Sequence, residues 1–144
     1  MVAQERADGR LLGIWRLVPA QIRFEDTGEV HDRHSPGPRG FAVFSPEGRA
    51  MFVITASGRK PPANDAEAAA LFRGMTAYSG RFTVAGGRVV TEVDAAWHPA
   101  REDSQQPRFY ELSGDRLTLT TEAQGHPSYP GRRLRGIVVW TRGR

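Results

Sequence analysis

The chain has 144 residues, 39% of them hydrophobic and 25% charged, and these proportions suit one packed domain rather than a disordered one. Cysteine is absent, which removes disulfides, cysteine-based zinc sites and thiol catalysis together. Twenty basic residues against 16 acidic ones give a net charge of +4, and all but Lys60 of the basic residues are arginine.

The first ~10 residues, Met1 to Arg10, read as a flexible tail. No apolar stretch follows that resembles a secretory leader, and none reaches the ~18 residues a membrane helix needs. A cytoplasmic location is the expectation. From Leu11 the apolar pattern has period two. Leu11 to Val18 predicts a strand, and Gln21 to Glu25 a short one ending at Asp26-Thr27-Gly28. His31 to Arg39 is polar and rich in Pro and Gly, and reads as a loop. Phe41 to Phe44 and Ala50 to Thr55 flank Ser45-Pro46-Glu47-Gly48, a good turn because Pro presets φ and Gly accepts φ > 0.

The spacing predicts one helix, from Asp65 over about 65–76. Asn64 or Asp65 serves as cap, and Leu71, Phe72 and Met75 form an apolar stripe. Strands resume over Tyr78 to Val84 and Arg88 to Ala96 around Gly86-Gly87. Arg108 to Leu112 and Arg116 to Thr121 enclose Ser113-Gly114-Asp115, and Arg133 to Thr141 closes the chain. His98 to Pro107 and Gln124 to Gly131 read as loops. About nine short strands in sequential hairpins predict an all-β, antiparallel sandwich or up-and-down barrel. Closure would remove two exposed edges.

Several residues carry candidate chemistry. On Arg88–Ala96, the set Val89, Thr91, Val93 and Ala95 is the more apolar and is expected inside. Glu92 and Asp94 then face water; turned inward, they would form a general acid/base pair. Arg108 and Tyr110 share the face of Leu112. If that face is inner, they could orient a ligand carbonyl, phenol or carboxylate. Trp97 could wall a barrel mouth with His98 as proton shuttle, or the pair could be a plug and a loop residue. Phe44, Met51 and Tyr78 suit either a lumen or a core. His31, Asp32 and His34 have compact spacing but need another ligand from elsewhere, so no metal site is assigned. No phosphate loop, nucleophile elbow or zinc-protease motif occurs, and no cofactor is expected. The arginines at 132, 133, 135, 142 and 144 lie on or beside the last strand. A solvated strand face explains them better than nucleic-acid binding.

The order of short motifs resembles the bacterial and fungal lipocalin-like domain family. Leu11-Leu12-Gly13-Ile14-Trp15 matches its Leu-x-Gly-x-Trp opening. Pro38-Arg39-Gly40, Pro46-Glu47-Gly48 and Tyr78-Ser79-Gly80-Arg81-Phe82 follow in order. Then come Trp97-His98-Pro99, Arg108-Phe109-Tyr110, Leu112 to Leu119, and Val139-Trp140. The resemblance spans residues 11–142. It implies a lipocalin-like barrel of about eight to ten strands over 11–144, with one helical insertion. It also implies a lumen for a small apolar or aromatic molecule, lined by residues such as Phe44, Met51, Tyr78, Thr91, Val93 and Trp97. Some relatives act as cyclases or isomerases in natural-product pathways. If this chain is catalytic, the expectation is cofactor-free proton transfer, with Arg108 and Tyr110 polarising the substrate and Glu92, Asp94 or His98 moving protons; a non-catalytic carrier is the alternative, and oligomeric state, including a homodimer, stays open. Many members carry histidine where this chain has Thr91-Glu92, so chemistry resting on those histidines is not available here. The resemblance further implies that Trp15 packs under Arg142 to close the barrel.

Overall fold

The computed structural model describes residues 8–33, 37–126 and 129–143. Its strands are β1 (Gly13–Phe24), β2 (Val30–Asp32), β3 (Arg39–Phe44), β4 (Arg49–Thr55), β5 (Met75–Ala85), β6 (Arg88–Ala96), β7 (Gln105–Ser113), β8 (Arg116–Thr120), β9 (Gln124–His126) and β10 (Tyr129–Arg142). Helix α1 (Asp65–Arg73) connects β4 to β5. The sheet order is β2-β1-β3-β4-β5-β6-β7-β8-β10-β9, and β1 also pairs with β10. Eight strands therefore close into an antiparallel barrel, with β2 and β9 as short flanking additions. Those two strands lie where the sequence predicts only loop.

Alternation sorts the side chains as a closed sheet requires. Trp15 and Leu17 of β1, Ala42 and Phe44 of β3, and Phe82 and Val84 of β5 are buried. So are Leu117 and Leu119 of β8 and Trp140 of β10, and all of these share one core. Phe44 stands edge-on to Phe52 and Phe82, at 5.6 and 5.1 Å between centroids. Its ring fills the core and does not line an open lumen. One end of the barrel is sealed. A short 3-10 turn, Gly9–Leu11, is capped by Asp8 and buries Leu11 completely. The Trp15 indole donates to Leu11 O at 2.8 Å, and Arg142 lies over the Trp15 ring at 4.0 Å. Arg142 also donates to Leu12 O at 2.6 Å and to Arg10 O.

Two bulges reset which residues face inward. Between Leu17 and Ala20, β1 advances three residues while β10 advances two. The extra residue falls at Val18-Pro19, where proline lacks the N–H an unbroken ladder would use. The two strands expected before and after Pro19 are thus one strand of 12 residues. On β6 the pairing jumps from Gly80↔Val93 to Ser79↔Ala95, leaving Asp94 as the extra residue. Ala95, expected inside, is therefore exposed, and Ala96 packs against the core instead. The close approach opposite this bulge requires Gly80. A Cβ there would lie 1.9 Å from Glu92 O.

Helix α1 begins with Asn64 accepting from Glu67 N at 2.9 Å and ends at Gly74. Met75, expected in its last turn, is the first residue of β5, because Gly74 ends the helix one residue earlier. No residue of α1 is buried, so the predicted apolar stripe does not enter the core. The helix rests on the end of β6, where the Trp97 indole donates to Phe72 O at 3.1 Å.

Replacing Gly80 by alanine should cost about 1–3 kcal/mol in urea unfolding, as for overpacking elsewhere. Trp15→Ala should cost about 3–5 kcal/mol, since it removes a fully buried ring from the sealed end. A Trp15→Ala variant that unfolds like the parent would show that this end does not hold the barrel closed.

Candidate functional site

Opposite in character to the sealed end is a cavity of about 90 Å³ inside the barrel. Phe52, Ile54, Tyr78, Leu119 and Trp140, all buried, form its wall with half-buried Val138. Around them, more accessible, stand Arg33, Arg101, Arg108, Thr76 and Thr121. Gly136 also belongs to the lining and projects no side chain into the space.

Three different elements supply the arginines. Arg33 follows β2 and is anchored by its backbone N–H to Ala20 O at 2.7 Å. Arg101 ends the short 3-10 turn Pro99–Arg101, whose cap is His98. Arg108 projects inward from β7. The buried Gln106 joins the last two. Its Oε1 accepts from Arg101 Nη1 at 2.7 Å and from Arg108 Nη2 at 3.3 Å. Its Nε2 donates to Ser104 Oγ at 2.9 Å, which fixes the amide orientation. Arg108 Nη1 donates to Pro107 O at 2.7 Å. Arg33 is accessible as a residue, but its guanidinium reaches the cavity and lies 3.6 Å from where a Gly136 Cβ would be. Desolvation, then the positive charges of Arg101 and Arg108, hold it below the ordinary guanidinium range. None of the three pairs with a carboxylate among the described residues.

Tyr78 is the phenol of the cavity. Burial pushes its pKa up, and the nearby Arg108 and Arg101 oppose that shift in part. Near neutral pH it is a hydrogen-bond donor. The Trp140 indole N–H is buried and has no acceptor among the described residues.

The other sequence-predicted site residues are distributed differently. Arg108 and Tyr110 do share the inner face of β7, but at different levels. Tyr110 packs against the core, and its hydroxyl lies 3.4 Å from Asp8 Oδ2, beside the turn that seals the barrel. Glu92 and Asp94 are exposed on the outer face, so they form no lumenal acid/base pair. Asp94 instead makes a two-pronged bond to Arg49, at 3.0 and 2.8 Å, which holds its carboxyl below the usual range. Thr91 and Val93 point inward and are buried in the packed part of the barrel, away from the cavity lining. Met51, 49% exposed, and half-buried Trp97 line a shallow apolar depression on the outer wall. His98 is exposed, with Nδ1 accepting from Ala100 N at 3.1 Å and its ring against Phe72. It lies outside the cavity lining and so does not face a lumenal substrate. His31 is edge-on to Phe24 and 3.6 Å from Glu29, and His34 lies outside the described residues. Among the described residues no cluster of three His, Asp or Glu could hold a metal ion.

Arg132, Arg133, Arg135 and Arg142 have local partners, and Arg144 lies outside the described residues. Arg132 bonds to Asp26 and covers the Phe24 ring at 3.8 Å, Arg135 bonds to Glu25, and Arg133 donates to Ala123 O.

Sequence reasoning missed Arg33 and Arg101 because loops carry no periodicity to aim a side chain. Of the three cavity arginines, only Arg108 lay on a predicted strand with a face to mark it. Ile54, Leu119 and Val138 fit the inner faces of their strands, but alternation does not distinguish a cavity wall from a filled core.

Tyr78 should ionise above the ordinary phenol value of ~10. The folded state then holds a proton that the unfolded state has lost, so stability should fall as pH rises past ~10. An alkaline titration read at the phenolate absorbance band should show a late phase that Tyr78→Phe abolishes.

No helix among the described residues is long and apolar enough to cross a membrane. No curated protein matches the chain. The family model for the lipocalin-like domain matches residues 12–143. That match and the closed eight-stranded barrel agree, and the chain belongs to the lipocalin-like domain family.

Proposed function

We propose that this protein binds a small organic molecule inside the barrel, in the cavity walled by Phe52, Tyr78, Leu119 and Trp140. The observation that carries this reading is the cavity's composition. It combines an apolar, aromatic wall with a few polar groups converging from separate elements, as ligand sites do. A barrel of eight strands is just wide enough for side chains to fill or for one small ligand to occupy. Here one part is filled and another is left open. At about 90 Å³, the space is small. It therefore suits a short or slender apolar group rather than a large polycyclic one.

Isomerase, cyclase or dehydratase chemistry would need a proton acceptor near a donor. Tyr78 offers the donor. Among the described residues that line the cavity there is no carboxylate or imidazole to take a proton. This supports ligand binding ahead of proton-transfer catalysis.

Methyl-resolved NMR tests the reading with neutral probes, n-butanol and benzyl alcohol. Titration should shift the methyl resonances of Ile54, Leu119 and Val138, and a Val138→Phe variant that remains folded should lose the response. Shifts confined to outer-wall methyls such as Met51, or no shifts with either alcohol, would remove the basis for a lumenal ligand.

A further inference from the structure

We infer that the lumenal ligand is an anion, a small organic carboxylate whose oxygens sit among Arg33, Arg101 and Arg108 while its short apolar part enters the wall of Phe52, Leu119 and Trp140. This rests on the lumen-binding reading above and adds the chemical class of the ligand.

Position gives the first reason. Arg33, from a loop distant in sequence, and Arg101 and Arg108, from a 3-10 turn and the strand that follows it, each send a guanidinium to the same cavity. Arg101 and Arg108 come so close that one amide oxygen, Gln106 Oε1, accepts from both. Like charges at such range repel, and the repulsion grows as water is displaced. A neutral amide offsets it only partly.

The second reason is the contrast with other arginines of the barrel. Arg49 is matched by Asp94, Arg88 by Glu122, Arg132 by Asp26 and Arg135 by Glu25. These are pairs on the outside, where water already screens charge. The three arginines that face the cavity, where screening is weaker, have no carboxylate partner among the described residues. The negative charge that would complete this arrangement is supplied from outside the chain.

Donor geometry points the same way. A guanidinium carries five N–H donors in a planar fork suited to two carboxylate oxygens. The bonds described use one N–H of Arg101 and two of Arg108. The Tyr78 hydroxyl adds a neutral donor in the same lining. Such a cluster also attracts anions to the mouth before contact.

Matched acids and amides test the inference by isothermal titration calorimetry: butyrate with butyramide, and benzoate with benzamide. Each acid should bind roughly tenfold or more tightly than its amide, the difference expected of a charge-assisted bond. That advantage should shrink between 0.05 and 0.5 M salt, as roughly expected from screening of charges at the mouth. Arg101→Gln and Arg108→Gln should each weaken the acids by roughly tenfold and the amides by clearly less, because the amides lose only a neutral hydrogen bond. Without ligand, both variants should unfold at the same urea concentration as the parent or a higher one, because a repulsive charge is gone. Amides that bind as well as acids, or acids indifferent to both substitutions, would overturn the anion inference while leaving lumenal binding intact. If neither acid binds, the inference is likewise overturned, and the neutral-alcohol titration then separately decides whether lumenal binding stands.

Discussion

Closure of β1 on β10 is the constraint on which the barrel depends. Without it, a ten-stranded meander would expose two long edges, each a row of unpaired N–H and C=O groups. Trp15 and Arg142 secure that seam. The indole is fully buried, donates to Leu11 O, and carries the Arg142 guanidinium on its outer side. Arg142 in turn reaches the Arg10 and Leu12 carbonyls, so first and last strands are bound through the same two side chains. A lysine could occupy the position but could not both lie flat on the indole and fork to two carbonyls. Closing this end fixes where a ligand could enter, because the opposite part of the barrel is the part left unfilled.

Bulges then decide what the interior presents. A period-two strand sends alternate residues inward for its whole length, whereas one inserted residue exchanges the faces. On β1 the exchange at Val18-Pro19 keeps Trp15 and Leu17 inward below the bulge, and Ala20, Ile22 and Phe24 inward above it. On β6 the extra residue, Asp94, is placed outside with Arg49. Gly80 lets the backbones meet there. These are local departures from regularity, and both lie near the cavity end of the barrel: Ala20 lines the cavity directly, and Tyr78, two residues from Gly80, is part of its wall.

Much of this was legible in the sequence. Alternation placed Val89, Thr91 and Val93 inside, grouped Arg108 with Tyr110 and Leu112, and gave the strand order, because sequential hairpins leave few other arrangements. The turn residues were legible too, for residue-specific reasons, whereas the Trp15–Arg142 pairing followed from the family resemblance. Ala95 was not, because its face depends on a bulge set by contacts across two strands. Nor were β2 and β9, three-residue strands that exist only because β1 and β10 extend beyond the barrel and offer them partners. The site was less legible than the fold. Met51 and Phe44 have the composition of pocket residues, but one lies on the outer wall and the other in the packed core. Arg33 and Arg101 have the composition of solvated loops and instead face the cavity.

What separates the cavity from the packed core is how each half of the barrel satisfies its contents. In the sealed half, aromatic and branched side chains meet one another, and the Trp15 N–H finds its acceptor in the chain itself. In the open half, the three arginines that reach the cavity have no carboxylate partner among the described residues. A packed core would select against such groups, whereas a binding site keeps them for the molecule that completes them. Arg33, Arg101, Arg108 and Tyr78 together define a site with excess positive charge, excess donors and unfilled volume. A small acceptor-rich anion with a slender apolar group corrects each of these imbalances at once, while a neutral apolar molecule of the same size corrects only the volume.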